Sequence, residues 1–315
     1  MDAENYFKLT KRYRSYKSSW PSSLQSLIWR IFFSVLGIVL SLNSNLLIYL
    51  VGQLIYGLAI FQWFAVLHDC GHNCFTPNKK MNEFIGYLSS LFNLIPYASW
   101  KYIHLEHHKW TGLHDKDPSI EDLNKVNPRK RFLARKAWKS GFPFLALAFL
   151  VGTFWNFFKQ FRLFPDVKRR LEVCLSIGLI ILVYFLLSQF NPHLWRMVIP
   201  AYIFFGMFCE PIILSQHAHI PMDSTNSHPM AYPTFEQDRF TRSLKFPVWV
   251  SKWLTMSFEN HIAHHLFPWI PFYNLYLVST ETGNEVEAWD WIKKAKSTPG
   301  DVLIFDDRNK THLDL

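Results

Sequence analysis

The chain has 315 residues, half of them apolar, 17% aromatic and only 18% charged, against roughly a quarter charged in an ordinary soluble domain. This composition excludes a disordered chain or a charge-rich solenoid; the length allows about two soluble domains or one membrane bundle with cytosolic parts, and the aromatic excess favours the bundle. A net charge of +9 does not point to nucleic acid, because the basic residues sit in short clusters beside apolar stretches, and four cysteines without a CxxC pair exclude a disulfide framework or zinc ribbon.

Residues 1–23 carry Lys8, Lys11, Arg12, Arg14 and Lys17 ahead of an apolar stretch with no small-residue cleavage pattern, and read as a cytosolic N-terminal segment. Residues 24–42 and 46–67, parted by a polar turn at 43–45, are each near the ~20 residues that span a ~30 Å hydrocarbon layer. Residues 171–190 and 194–214 repeat the arrangement around a turn at 191–193. Arg30 and Arg196 interrupt these spans close enough to an end to snorkel towards headgroups. Two shorter stretches, 82–98 with Pro96 and 142–158 with Pro143 and Gly152, are expected as amphipathic or interfacial helices, the second able to dip into the bilayer. The turns at 43–45 and 191–193 contain no Lys or Arg, whereas 8–17, 125–139 and 159–170 are dense in them. The large segments, both termini and any site they carry therefore face the cytosol. The expectation is an all-α integral membrane fold: two transmembrane hairpins, four spans in all, and a cytosolic helical cap holding a di-metal site. Residues 24–275 form the membrane domain, and 276–315 a cytosolic C-terminal tail.

Histidine marks where the chemistry lies. His68-Asp69-Cys70-Gly71-His72 spaces two imidazoles i, i+4. His104-Leu105-Glu106-His107-His108 and His261-Ile262-Ala263-His264-His265 each space three at i, i+3, i+4, on one helix face. With 14 His in the chain, HxxHH is expected by chance ~0.03 times, so two matches are a strong signal. The predicted topology delivers every box to the same membrane face, which unrelated core histidines have no reason to do. Neutral imidazole suits Zn, Cu, Fe and Ni. A structural zinc needs only four ligands, so eight or nine His exceed one ion, and a nitrogen-rich two-metal site points first to iron. Asp69, Glu106, Asp115, Asp117, Glu259 and Asn260 are candidates to accept the free ring N–H groups.

HDCGH, HLEHH and HIAHH, the last followed by Leu266-Phe267-Pro268-Trp269-Ile270-Pro271, resemble the three histidine boxes of the integral-membrane fatty acid desaturase superfamily, in its acyl-lipid branch. The resemblance runs from about residue 60 to residue 275 and includes the transmembrane pairs. It implies a di-iron centre that uses O2 and two electrons to remove two hydrogens from a methylene pair. His68, His72, His104, His107, His108, His261, His264 and His265 would be its ligands. It also implies a ninth His after the fourth span: Gln216-His217 matches that place and His219 is the rival. Pro221 puts His219 nearer the helix stop, which favours His217. Ala263 stands where many relatives carry Glu, and the third box opens with His rather than Gln. No HPGG-like haem module accompanies the boxes, so a separate electron donor, ferredoxin-like or cytochrome-like and served by its own reductase, is expected.

Other readings are a hydroxylase or ketolase acting on a carotenoid, sphingolipid or alkane, and, from another class, a non-redox membrane metal-binding protein or zinc hydrolase. Trp63, Trp100, Trp110, Trp249, Trp253 and Trp269 suit an acyl tunnel or an interfacial aromatic belt. Lys125, Arg129, Lys130, Arg131, Arg135, Lys136 and Lys139 suit an acidic donor or an anionic lipid surface.

Overall fold

The computed structural model describes residues 1–123, 126–280 and 282–315. In chain order the helices are α1 (Ala3–Tyr13), α2 (Trp20–Ser41), α3 (Leu46–Gly71), α4 (Lys79–Asn93), α5 (Tyr97–Trp110), α6 (Pro128–Ser140), α7 (Phe144–Phe154), α8 (Phe157–Leu163), α9 (Val167–Phe190) and α10 (Leu194–His217). They continue with α11 (Val248–Trp253), α12 (His261–Leu266), α13 (Phe272–Leu275), α14 (Ala288–Ser297), α15 (Gly300–Phe305) and α16 (Arg308–Thr311). Short 3₁₀ turns occupy Glu121–Leu123 and Thr234–Phe240, and strands β1 (Ser243–Lys245) and β2 (Glu285–Glu287) pair in parallel. This small sheet and an isolated parallel bridge between Leu113 and Asp223 depart from an all-helical fold.

Among the described residues α2, α3, α9 and α10 are long and apolar enough to cross a membrane. Three of them start where side chains cap them: Ser19 accepts from the Ser22 N–H, Asn45 from Leu47 and Ile48, and Asp166 from Arg169. Two run on past the expected ends of the apolar stretches, α3 to Gly71 and α10 to His217, so that the last turn of each carries a histidine. Helices α7 and α8 are bent 54° apart and together meet the same length and hydropathy test, as a broken span or a re-entrant loop; the Asn156 side chain caps α8 at the break. In the 82–98 stretch the helix stops at Asn93, Leu94 is left-handed at φ 54°, and a new helix opens directly after Pro96.

The chain divides into two compact units. The first comprises residues 18–102 and 146–209. In it α2 and α3 approach so closely that a Cβ on Gly37 would lie 2.7 Å from the Tyr56 backbone nitrogen, and one on Gly57 2.7 Å from the Ala201 carbonyl of α10. Arg30 does not snorkel. It is buried between α2 and α3, where its Nε donates to Gln62 Oε1 at 2.9 Å and its guanidinium to Ser26 Oγ. Polar partners inside the bundle satisfy it better than a stretched side chain would. Trp63 donates to Ser34 and stacks on Phe92.

The second unit gathers residues 1–17, 103–145 and 210–315. Its core includes Trp138 of α6, Leu244 of β1, Trp291 and Ala295 of α14, and Leu303 of α15. Helix α15 lies so tightly on α6 that a Cβ on Gly300 would meet Trp138 Cβ at 2.5 Å and the Ala134 carbonyl at 2.6 Å. Ion pairs lock the same contact: Arg131 with Asp306 and Arg135 with Asp301, each bidentate at 2.8–2.9 Å. Arg131 and Arg135 of the basic cluster at 125–139 are thus engaged within the chain; Lys125 lies outside the described residues.

Candidate metal centre

The second unit holds a complete group of four imidazoles. His107 comes from α5, His217 from the last turn of α10, and His261 and His265 from α12. One ring nitrogen from each lies within 4.8 Å of all the others. The i, i+4 spacing within α12 puts His261 and His265 on one face, with their Nε2 atoms 3.0 Å apart.

What surrounds the rings fixes their tautomers. His217 Nδ1 lies 2.9 Å from the Phe240 carbonyl, and a carbonyl only accepts, so Nδ1 carries the proton. His107 Nδ1 donates to Asp117 Oδ2 at 2.6 Å. His265 Nδ1 lies 2.9 Å from Gln237 Oε1; because the other end of that amide donates to the His108 carbonyl at 2.7 Å, the oxygen must face the ring and accept. Burial, then the neighbouring rings His108 and His261, push the His265 pKa well below its ordinary value, which keeps the ring neutral. Three Nε2 lone pairs are therefore aimed inward. His261 Nε2 is 2.8 Å from that of His217 and 3.0 Å from that of His265, and a single proton there serves only one of them. Converging lone pairs with too few protons repel each other, and a cation relieves them. The residues fit a metal ion with nitrogen preference, with the free ring N–H of each of these three ligands held by an acceptor.

A second convergence begins in the same unit. His108 Nε2 lies 3.0 Å from His104 Nε2 and 2.8 Å from His264 Nε2, and the His104 and His264 rings stack at 5.7 Å. In the other unit, at the end of α3, the His68 and His72 rings are 5.0 Å apart and His68 packs on Trp100.

Residues 44–287 match the family described as fatty acid desaturase. The chain belongs to the fatty acid desaturase family. It is 27% identical over 263 residues to an sn-1 acyl-lipid omega-3 desaturase (ferredoxin) of Nostoc, a match covering 78% of this chain and 71% of the relative. An endoplasmic reticulum omega-3 fatty acid desaturase of Vigna radiata is 24% identical, over 77% of this chain and 66% of the relative. A chloroplastic omega-6 fatty acid desaturase of Brassica napus is 27% identical, over 70% of this chain and 50% of the relative. The matches span between half and about seven-tenths of these desaturases' lengths.

Against this family frame the rival ninth histidine is placed elsewhere. His219 is left-handed at φ 65° and its Nε2 hydrogen-bonds Thr311 Oγ1 at 2.7 Å, two residues past the end of α10. Of the six polar candidates, Asp117 holds His107, and Asp69 Oδ1 lies 3.7 Å from His68 Nδ1. The others have partners away from the rings: Glu106 accepts from Trp110 Nε1, Asp115 from Thr225, and Glu259 from Thr255 Oγ1, its carboxyl pushed up by burial. Asn260 spans from Ser243 to the Leu275 carbonyl. Two ring acceptors, Gln237 and the Phe240 carbonyl, carry no signature in the sequence. Both lie at the 3₁₀ turn 234–240, where neither periodicity nor motif singles them out.

Proposed function

We propose that this chain is an O2-dependent oxidoreductase that introduces a double bond into a fatty acyl chain, linked to a lipid, at a di-iron site on the cytosolic face of the membrane. His107, His217, His261 and His265 hold one ion. His104, His108 and His264 serve the other, and the desaturase resemblance assigns ligand roles to His68 and His72 as well. Two bound irons would supply O2 activation and oxidising power towards an unactivated methylene pair. The overall change balances as CH2–CH2 plus O2, two electrons and two protons giving CH=CH and two waters. The electrons come from a separate donor, ferredoxin-like or cytochrome-like, with its reductase.

The observation that carries this reading is the four-imidazole cluster with its inward lone pairs, on a chain of the desaturase family. The chain's own residues make no proton or hydride transfer in it. They hold rings in one tautomer, through Asp117, Gln237 and the Phe240 carbonyl, and they keep the site dry, His265 and Ile262 being fully buried. Selection among equivalent methylenes is then a matter of where the acyl chain is held. Four helices long and apolar enough to cross a membrane support a substrate drawn from the bilayer, and the Lys and Arg bias supports cytosolic termini and site. Expression in a host whose lipids lack the product, with double bonds located by mass spectrometry, tests the proposal. A new unsaturated acyl chain and two Fe per chain are expected. A hydroxylated product, or stoichiometric zinc in protein purified without zinc loading, overturns it.

A further inference from the structure

Residues 237–242 touch three histidine-bearing elements at once. The Gln237 side chain, 3% exposed, joins His265 of α12 to the His108 carbonyl of α5. The Phe240 carbonyl holds His217 of α10. Arg242, buried and lowered to about 10 by desolvation, donates from its guanidinium to the Ser215 and Ala218 carbonyls and from its backbone N–H to the Gln216 carbonyl, closing the C-terminus of α10 around His217. The turn is itself pinned against the end of α5. Gly112, at φ +95°, has no Cβ where the Phe240 ring sits, 2.6 Å from the place one would occupy.

Within this strap Gln237 joins two of the elements through one side chain. A side-chain amide accepts at one end and donates at the other. We propose that Gln237 is a positioning residue of the four-imidazole site: its oxygen keeps the His265 proton on Nδ1, leaving the Nε2 lone pair for the metal, and its nitrogen sets the spacing of α12 from α5 through the His108 carbonyl. This deepens the di-metal reading and rests on it. A ring free to exchange tautomers presents a protonated Nε2 part of the time, and a ligand displaced by ~1 Å loosens its site. Loss of such an outer partner costs 10–100-fold in metal affinity.

The test uses full-length protein in detergent, loaded anaerobically with ferrous iron, and follows release of the metal to excess chromogenic chelator. Wild type holds two ions. Gln237→Met, nearly isosteric but unable to hydrogen-bond, releases one of its two ions 10–100-fold faster and the other at the wild-type rate. Gln237→Glu, which restores an acceptor at Nδ1, releases that ion at least fivefold more slowly than Gln237→Met. If Gln237→Met does not fold, Gln237→Asn, too short to span both partners, reads the same accelerated phase. Unchanged release from Gln237→Met overturns the inference while leaving the di-metal reading intact. Equal loss from the Met and Glu variants overturns it too, since packing alone would then account for the effect. Wild type that binds no iron removes the di-metal reading and the inference together.

Discussion

Replacing Asp117 by Asn changes one atom and removes one acceptor. Asp117 is fully buried and both of its oxygens are used: Oδ2 accepts from His107 Nδ1 at 2.6 Å, and Oδ1 accepts from the Ser119 backbone N–H at 2.8 Å. An amide keeps one acceptor and places a donor at the other position. If the amide oxygen stays on Ser119, the NH2 faces His107, whose ring must move its proton to Nε2, the nitrogen aimed at the metal. If the oxygen turns to His107, the Ser119 N–H loses its partner and the loop after α5 loosens. A hydrogen bond to a charged group contributes about 1.5–3 kcal/mol, and each ~1.4 kcal/mol is tenfold in affinity. The expected result is a ~10–100-fold loss of ferrous affinity at the four-imidazole site, measured by chelator competition under anaerobic conditions, with the second ion retained. Affinity within twofold of wild type for both ions would refute the assignment of His107 as a ligand oriented by Asp117.

His217→Ala should lose one iron and the desaturase product, whereas His219→Ala should keep both irons and instead loosen residues 308–312, seen as faster amide exchange there; the opposite pattern would move the ligand role to His219. Cysteines placed at 43–45 and 191–193 should react with an impermeant reagent from outside, and cysteines at 129–139 or 300–315 should not; outside labelling at 129–139 would set the histidine boxes on opposite sides of the membrane. Hydrogen bonds from Arg135 and Arg131 hold the Asp301 and Asp306 carboxyls below the usual carboxylate range. Their stabilisation is therefore present above the ordinary pKa of ~4 and lost as pH falls through the lowered values. Amide exchange in α15 should distinguish wild type from the Asp301→Asn, Asp306→Asn double variant at pH 7, and the difference should shrink as pH falls below ~4. Equal protection of the two proteins at pH 7 would show that these pairs do not hold the segment.

How much was legible follows from how far each signal reaches along the chain. The spans were readable because a bilayer sets a length and α2, α3, α9 and α10 meet it. The boxes were readable because a helix face needs i, i+3, i+4, and α5 and α12 are the helices that spacing implies. Asp117 was within reach as a carboxylate ten residues from His107. Contacts that depend on tertiary assembly were not readable. The Phe240 acceptor is a backbone carbonyl, which every residue has. Gln237 sits in a 3₁₀ turn with no apolar period. The bonds from Arg131 and Arg135 to the C-terminal segment span 175 and 166 residues, and from sequence alone those cations are indistinguishable from a free basic face. Arg30 illustrates the same limit inside the bundle: its partner Gln62 lies on the next helix, and only packing decides between that pairing and the headgroups.

The second compact unit is stitched from three stretches of chain, and this sets the order in which the centre can come into being. The contact of His107 with Asp117 closes a loop of 10 residues and can form as soon as Asp117 emerges. His108 and His264 are 156 residues apart, which at 5–20 residues per second is roughly 10–30 s of synthesis. During that interval the two long apolar helices α9 and α10 leave the ribosome and the second histidine box waits without its partners. A metal centre built on these rings would therefore be assembled late in biogenesis. The metal that such a centre would take is then set in part by what the compartment offers in those last seconds, and a host short of iron but rich in zinc is where mis-metallated protein should accumulate.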